Sequence, residues 1–309
     1  MISLRTSNRR SKRSDAVRQH GAADPGNAMM ERILIVVVAL AILAVPAASP
    51  AIDGREALRI SDGKKLSFDG LIVELAGSQV VFVGEVHSVP EHHRIELAVI
   101  RALYDAGLPL LVGLEMFRAE SQDGLDRWVA GSLDERSFRK LYERNWNIPW
   151  SLYRDILLFA RDHRIPLIGL NVDEGVAGKV ARSGFASLTP EERAKLPPGI
   201  SCTVDETYEE FIRRAHGAAT PSGRAFRHFC EAQMVWDSSM AYTLAAALVR
   251  APGRTAVVLA GSGHAWRRGI PAQFGRIMPG LRTSVLLPMI DDAVVSGTVT
   301  KDDADFVVF

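Results

Sequence analysis

Short apolar runs along residues 65–290 predict a parallel sheet. Five of them are typical of strands, at residues 80–84, 110–114, 165–170, 256–260 and 284–287. Each run is nearly continuous, as expected of a strand that is buried on both faces of a sheet. Apolar positions at helical spacing separate the first two runs and predict a βαβ unit. We therefore expect an α/β fold, with a mostly parallel β-sheet flanked by helices.

The helix of that unit has start and stop signals. Ser88 and Glu91 have the spacing of a capping box, and Pro90 suits a first helical turn. Gly107 is placed to end the helix. Residues 71–75 predict only a short element ahead of the first strand.

Residues 174–252 carry a mainly helical pattern. The longest helical stretch runs from Phe226 to Val249, and Pro252 follows as a helix breaker. This segment predicts a smaller helical subdomain, inserted into the α/β domain of residues 65–290. The tail after residue 287 is weakly patterned and predicts no further element.

The first 51 residues predict export. Residues 1–29 are basic and polar, and such a segment cannot bury enough apolar surface to fold, so we expect a disordered extension. Residues 30–51 contain a charged start, an uncharged apolar run and a small-residue exit, which indicates a signal peptide cleaved after Ala47 or Ala51. An uncleaved anchor is the alternative, although the run is short for a membrane span.

The same region bears on the start codon and the location of the protein. The unusual length of the basic segment favours translation from Met29 or Met30. No cysteine lies at the exit of the signal, so the sequence does not predict a lipoprotein. We expect an exported protein that is periplasmic or membrane-associated.

Net charge and cysteine content bear on the binding partners and on disulfide formation. The net charge of +1 argues against a nucleic-acid partner. The chain has 2 cysteines, Cys202 and Cys230. An even number in an exported protein favours a disulfide, and two free buried thiols are the alternative.

Ionisable side chains follow three of the predicted strands. Glu85 and His87 follow the first strand, Glu115 the second and His264 the fourth. Because open α/β sheets bind ligands at the carboxyl ends of their strands, we expect these four side chains to surround one pocket. Gly261 lets the backbone turn sharply just before His264. We call these four residues the strand-end quartet.

The strand-end quartet has two chemical interpretations and a structural one. Imidazole and carboxylate ligands suit zinc, iron or manganese, so the quartet could hold a divalent metal. A histidine and a carboxylate of different pKa could instead serve as acid and base without a metal. As structural groups, the four would cap loops and pair with Arg94 or Arg118.

Two further histidines, His92 and His93, lie close to His87 in the sequence. Their position in the first turn of the predicted helix favours solvent exposure. A metal there would also oppose the positive end of the helix dipole. We therefore expect neither to be a ligand.

An aromatic stretch around Pro149 has a different chemistry. Trp146, Trp150 and Tyr153 have helical spacing, which is usual for side chains that face a core. A tyrosine phenolate can also ligate ferric haem iron, and the guanidinium of Arg154 could pair with a propionate. These residues alone leave both interpretations open.

Taken together, the motifs resemble the ChaN-type haem-binding uptake family, over roughly residues 65–290. The segments that carry the resemblance are Gly84-Glu85-Val86-His87, Gly113-Leu114-Glu115-Met116-Phe117, Asn145-Trp146, Pro149-Trp150, Tyr153-Arg154, Gly169-Leu170-Asn171, Gln233-Met234-Val235-Trp236-Asp237, Met240-Ala241 and Gly261-Ser262-Gly263-His264. The family belongs to a wider group with the Tiki, TraB and erythromycin-esterase-like proteins. The resemblance implies an α/β core with a smaller helical lobe.

The resemblance also implies an exported protein that binds haem for iron uptake. It implies a tyrosine ligand and binding between paired subunits, hence a homodimer, with outer-membrane haem uptake machinery as a further partner. Tyr153 is the tyrosine whose motif matches, with Trp150, Arg154, His87 and His264 as further haem-binding residues. The remaining tyrosines are alternatives, namely Tyr104, Tyr142, Tyr208 and Tyr242.

The wider group implies an alternative function. Its Tiki and esterase-like members resemble this chain at the strand-end quartet, Glu85, His87, Glu115 and His264. This resemblance suggests metal-dependent or acid–base hydrolysis, with a divalent metal as the alternative cofactor. His264 is therefore a candidate iron ligand under the first hypothesis and a catalytic residue under the second.

Overall fold

The centre of the fold is a sheet whose apolar strands are sandwiched between helices. The computed structural model describes residues 55–200, 202–216, 222–289 and 299–309. These residues belong to one compact unit, which extends from Pro46 to Phe309. The predicted extension at 1–29 and signal peptide at 30–51 lie outside the described residues.

The sheet has eight strands in the described part of the chain. They are β1 (Glu56–Arg59), β2 (Lys64–Ser67), β3 (Val80–Glu85), β4 (Leu110–Arg118), β5 (Leu167–Asn171), β6 (Thr255–Gly261), β7 (Thr283–Pro288) and β8 (Phe306–Val308). Their order is β2-β1-β8-β7-β3-β6-β4-β5. Strand β1 runs antiparallel to both of its neighbours, whereas the pairs from β8 to β5 are parallel. The predicted α/β fold with a mostly parallel sheet is confirmed.

The five strands that the apolar runs predicted are present as β3, β4, β5, β6 and β7. Strand β4 continues four residues beyond the predicted end at residue 114, so Glu115 lies within the strand rather than after it. Three short strands on one side of the sheet, β1, β2 and β8, were not predicted. Strand β2 consists of partly exposed or exposed residues, β1 is mixed, and β8 is apolar and buried but too short for a recognisable pattern.

The helices connect the strands and cover both faces of the sheet. They are α1 (Phe68–Ala76), α2 (Pro90–Asp105), α3 (Gln122–Val129), α4 (Glu135–Asn145), α5 (Trp150–Asp162), α6 (Glu174–Ser183), α7 (Pro190–Arg193), α8 (Glu206–His216), α9 (Gly223–Arg250), α10 (Ser262–Ala265) and α11 (Ile270–Ile277). Helix α2 begins at the predicted Pro90, but its N-cap is Val89 and makes no side-chain capping bond. The predicted capping box is therefore wrong.

Alternate side chains of the central strands face two separate apolar layers. On one face, Val81 and Val83 of β3 belong to a cluster with side chains of α2 and α5, such as Val99 and Ile156. On the other face, Phe82 packs in a cluster with side chains of α9 and α11. This alternation is the two-residue period of a strand with both faces buried.

Helix α9 has two packing partners along its length. Near its middle, Ala232 and Val235 pack against α6 residues such as Val180. In its last turns, Leu244 and Leu248 pack on the sheet. The stretch predicted as a helical insert is helical where it is described, and its longest helix also covers the central sheet.

Two further features of the described residues concern cysteine chemistry and membranes. Cys202 and Cys230 are both free thiols, so the disulfide that the even count favoured is not formed; Cys230 is buried, as the alternative expected, whereas Cys202 is partly exposed. Burial raises the pKa of each thiol to about 12. Within the described ranges, no helix combines the length and the apolar character that a membrane span requires.

Candidate functional site

The strand-end quartet converges because β6 lies between β3 and β4. In the β3–β6 ladder, Glu85 is directly opposite Gly261, so the chain segments that follow both strands start side by side. A Cβ atom on Gly261 would lie 2.9 Å from Cε1 of His87 and 3.6 Å from Oε2 of Glu115. The absence of a side chain at Gly261 is therefore what allows these two groups to approach the strand end.

Glu115 is positioned by the irregular end of β4. The pairing between β4 and β5 shifts its register between Leu114 and Arg118, the stretch that carries this glutamate. Such irregularities often re-aim a side chain beside a functional site. Oε2 of Glu115 accepts a hydrogen bond of 2.6 Å from the backbone N–H of Gly261. The carboxylate is therefore anchored on the neighbouring strand.

His87 is held by Glu85 at the end of β3. Nδ1 of His87 lies 2.6 Å from Oε1 of Glu85, whose side chain is buried. Burial alone would raise the pKa of Glu85, but hydrogen bonds from His87 and His93 and the charges of both rings lower it to about 2. Burial likewise opposes protonation of His87, yet the Glu85 hydrogen bond and the Glu115 charge raise its pKa overall. The pair is a carboxylate with a partly exposed imidazole.

His264 has a matching carboxylate partner, Asp237, on α9. Nδ1 of His264 lies 2.6 Å from Oδ1 of Asp237, and the hydroxyl of Tyr208 donates to the other oxygen at 3.0 Å. Nε2 of His264 lies 3.7 Å from Oε1 of Glu115. Burial lowers the pKa of His264, but the charges of Glu115 and Asp237 raise it to about 9. His264 is thus an imidazole that is 13% exposed and lies between two acidic groups.

Asp237 had no assigned role in the sequence analysis, although it lies in one of the family motifs. Its side chain is 1% exposed, and burial raises its pKa. A fully buried aspartate in the middle of a long helix requires a partner. An aspartate among the apolar residues of a long helix therefore indicates a polar partner, but the sequence does not show that this partner is His264.

A cavity of about 460 Å³ opens beside Glu115 and His264. Six of the residues that line it matter for its chemistry, namely Glu115, His264, Trp146, Trp236, Arg118 and Arg144. The ring of Trp146 meets His87 edge-on at a centroid distance of 5.0 Å, and Trp236 approaches His264 in a similar way. The wall therefore combines ionisable groups, flat aromatic surfaces and two guanidinium groups.

The aromatic stretch that was predicted as a haem site lies mostly behind this cavity. The hydroxyl of Tyr153 donates to Oε1 of Glu85 at 2.5 Å and is buried. Burial and the charges of Glu85 and Glu96 raise the pKa of this phenol well above its ordinary value. Among the described residues, Tyr153 is not part of the cavity wall. Its role as haem ligand stays a prediction.

The two companions of Tyr153 face other surroundings. Trp150 packs against Phe138 and Tyr142 in the core. Arg154 is half-exposed and pairs with Glu135 at 2.7 Å. Neither lines the cavity beside Glu115. Their cofactor-binding roles likewise stay predictions.

The structural interpretation of the quartet involved Arg94 and Arg118. Arg94 pairs with Glu91 instead, and Arg118 donates to the backbone carbonyl of Arg144. The described ion pairs of the quartet are with Asp237, with His93 and among its own members. The quartet is therefore paired with two neighbouring ionisable residues and within itself, and not with the two predicted arginines.

His92 and His93 are buried, so the predicted solvent exposure is wrong. Nδ1 of His92 accepts a hydrogen bond from the backbone N–H of Val86, and burial lowers the pKa of this ring. His93 faces Glu85 and Glu96. Burial lowers the pKa of His93, but the hydrogen bonds and charges of both carboxylates raise it to about 10. The first turn of α2 faces the end of β3 rather than solvent, which helical spacing alone could not show.

The geometry of the quartet suits metal or haem iron. His87 and His264 each direct Nδ1 to a carboxylate, which leaves Nε2 for another partner. Metal-ligating histidines have this arrangement, because the carboxylate fixes the tautomer and the orientation of the ring. Imidazole nitrogen binds haem iron as well as zinc.

Comparison with known proteins decides between families with such sites. The family described as haem-binding uptake, Tiki superfamily, ChaN matches residues 71–274, which is most of the chain. The chain belongs to this ChaN family. No curated protein sequence gives a significant match.

Three solved structures resemble this chain to different degrees. A structure of cofacial haem binding to ChaN of Campylobacter jejuni has a TM-score of 0.64 and 18% sequence identity, covering 82% of this chain and 96% of that one. An erythromycin esterase in its open conformation has a TM-score of 0.45 and 14% identity, covering 76% of each chain. The type III effector HopBA1 has a TM-score of 0.43 and 12% identity, covering 77% of this chain and 90% of its own. The first of these shows the shared fold.

The contact between Asp237 and His264 generates a prediction about ionisation. In Asp237→Asn the amide keeps the shape but removes the negative charge, so the protonated imidazole is less stable. We expect the pKa of His264 to fall by about 1 unit or more. Titration of the ring C–H signals by NMR measures this change.

The matched control is Asp173→Asn, which alters the carboxylate that caps α6. We expect this control to leave the titration of His264 unchanged. An unchanged pKa of His264 in Asp237→Asn would contradict the assigned contact.

Proposed function

We propose that this protein binds haem in the cavity beside Glu115 and His264 and acts in haem uptake outside the cytoplasm. The observation that carries the proposal is His264 in the cavity wall, with Nδ1 fixed on Asp237 and Nε2 directed away from it. Membership of the haem-binding uptake family supports the same function. The fold alone would not, since one fold serves many functions.

The cavity residues fit the chemical parts of haem. The volume of the cavity lies within the range of about 300–1,000 Å³ that is usual for ligand pockets. Trp146 and Trp236 offer flat apolar surface for a porphyrin, and Arg118 and Arg144 offer charges for the propionates. Haem itself would supply an iron centre with open axial positions. The protein would supply the axial ligand, the enclosing surface and the charge balance.

We propose His264 as the residue that would hold the haem iron, through Nε2 and with release of the proton on that nitrogen, because His264 lines the cavity whereas Tyr153 does not. His87 is the second candidate, since its Nε2 lies at the same strand end. Tyr153 is a candidate only in a different rotamer, because its hydroxyl now donates to Glu85 and would first have to leave that carboxylate. Burial raises the pKa of the Tyr153 phenol and so keeps it protonated, whereas iron is ligated by the phenolate; exchanging Glu85 for iron is therefore unfavourable.

Haemin titration of the mature chain tests the haem proposal. We expect a Soret band that saturates at stoichiometric haemin, and a shifted or lost band in His264→Ala, because the nitrogen ligand is removed. Tyr153→Phe keeps the ring and removes only the hydroxyl, so we expect its Soret band to resemble that of the wild type.

The control is His228→Ala, which removes a histidine of α9 that is outside the cavity wall and lies 3.3 Å from the carbonyl of Arg182. Absence of a Soret change in the wild type would contradict haem binding. Loss of the band in Tyr153→Phe with retention in His264→Ala would instead identify Tyr153 as the ligand. Sedimentation of the same samples reports whether haem joins two copies of the chain.

The proposed partners are a second copy of this chain and outer-membrane haem uptake machinery. Both follow from membership of the family rather than from a contact in the structure. A homodimer is compatible with a cavity that opens at the surface, because a bound haem could then face a second subunit. The sedimentation experiment tests this part of the proposal.

Export is part of the proposal, and residues 30–51 support it. Expression of the full-length chain in a bacterial host should give a periplasmic protein that begins near residue 48 or 52. Intact-mass measurement of the periplasmic fraction checks the cleavage site. Recovery of an uncleaved chain in the membrane fraction would show an anchor instead.

A second candidate function is hydrolysis, and the arrangement of Glu115 and His264 favours it. His264 has a pKa of about 9, so its ring is protonated at neutral pH and can donate a proton to a leaving group. Nε2 of this ring lies 3.7 Å from the carboxylate of Glu115, which can accept a proton from water. The two groups form an acid–base pair that opens on the cavity.

An ester hydrolysis assay, run without haem, tests the second function. We expect hydrolysis of chromogenic esters to fall by about 10²-fold or more in Glu115→Gln and in His264→Ala, because one proton transfer is lost in each. Glu143→Gln is the control, since Glu143 lines the same cavity but does not contact the quartet. Equal rates in all variants would leave the quartet without a hydrolytic role.

A further inference from the structure

A cluster of ionisable side chains lies behind the strand-end quartet and away from the cavity. It consists of Glu85, His93 and Glu96, whose ligand atoms all lie within 4.8 Å of one another. The three side chains are buried, and Glu96 is fully enclosed. Haem binding in the cavity does not use Glu96 or His93. We call these three residues the inner cluster.

One proton in the inner cluster faces two carboxylates. Nδ1 of His93 lies 2.9 Å from Oε2 of Glu85 and 3.0 Å from Oε2 of Glu96. A single N–H directs a good hydrogen bond to one of these oxygens, and its geometry selects Glu96. Oε2 of Glu85 and Oε1 of Glu96 are then buried without a hydrogen-bond partner among the described residues. Buried acceptors of this kind are costly unless a cation or proton joins them.

The other nitrogen of His93 is already fixed. Nε2 lies 3.0 Å from the backbone carbonyl of His87, so Nε2 carries a proton and donates it. Nδ1 is therefore the atom that can ligate a cation placed between the ring and the two carboxylates, once the Nδ1 proton is lost. A ring held through one N–H to a carbonyl, with the other nitrogen facing acidic oxygens, is the arrangement of a metal-ligating histidine.

We propose that the inner cluster binds a divalent first-row transition metal through Nδ1 of His93 and one oxygen each from Glu85 and Glu96. Burial raises the pKa of Glu96, so this carboxyl also carries a proton. The metal replaces that proton and the Nδ1 proton of His93, both of which are released to solvent, so two carboxylates, a neutral imidazole and one dication leave the site neutral. Ligand atoms that bind zinc at about 2.0–2.2 Å are separated by no more than about twice that distance. The observed spread of up to 4.8 Å requires only a small contraction.

The site differs from the haem cavity and from the strand-end quartet. It shares only Glu85 with the quartet, and the rest of its ligand set comes from the first two turns of α2. Imidazole with carboxylates suits zinc, manganese or iron. Because the cluster is enclosed, the metal enters while the protein folds or opens locally, and exchange out of the folded protein is slow.

Metal analysis of haem-free protein tests the proposal. Protein expressed in zinc-supplemented medium should retain about one equivalent of zinc after desalting, as measured by plasma mass spectrometry. In Glu96→Gln, which keeps the size of the side chain, we expect bound zinc to fall by about tenfold or more. His93→Gln is a second variant with the same expected loss. Circular dichroism confirms that each variant is folded.

Two controls separate the inner cluster from its surroundings. Glu91→Gln makes the same chemical change on the same helix, at a partly exposed residue that pairs with Arg94, and should retain the zinc. His264→Ala removes the proposed haem ligand and should also retain it. Zinc that is lost in His264→Ala but kept in Glu96→Gln would overturn the proposal, as would zinc-free wild-type protein. Haemin binding is measured separately and can fail or succeed independently.

Discussion

The buried charge of Glu85 is the constraint on which the rest of the site depends. A carboxylate at the end of a central strand, removed from water, must be surrounded by donors. Its neighbours are His87, His93 and Tyr153, which come from the turn after β3, from α2 and from α5. One charge therefore fixes three separate segments of the chain around the end of one strand.

A second, similar arrangement holds His264. Asp237 on α9 fixes one nitrogen of the ring, and Glu115 on β4 lies near the other. His87 and Glu115 both approach Gly261, whose lack of a side chain leaves room for them at the strand end. Both proposed functions, haem binding and hydrolysis, depend on this one arrangement of His264 and its two carboxylate neighbours.

The sequence predicted those parts of the structure that depend on local pattern. The apolar runs gave β3, β4 and β6, and the position of polar residues after them brought Glu85, His87, Glu115 and His264 together at one edge. The rest depends on which way an element faces once it packs. The burial of His93 follows from the docking of α2 below β3, and the partner of Asp237 follows from the path of α9. The spacing of apolar residues along the chain shows neither the burial of His93 nor the partner of Asp237.

Helix α9 gives the fold a mechanical property of its own. Its middle packs against α6, its last turns lie on the sheet, and Asp237 lies between these regions. A helix is stiff over this length, so a displacement of α6 would tilt the carboxylate that orients His264. Any protein that binds α6 and shifts α9 would therefore change the affinity of the cavity for its ligand. Thermodynamic reciprocity then requires the bound ligand to change the affinity for that protein by the same factor.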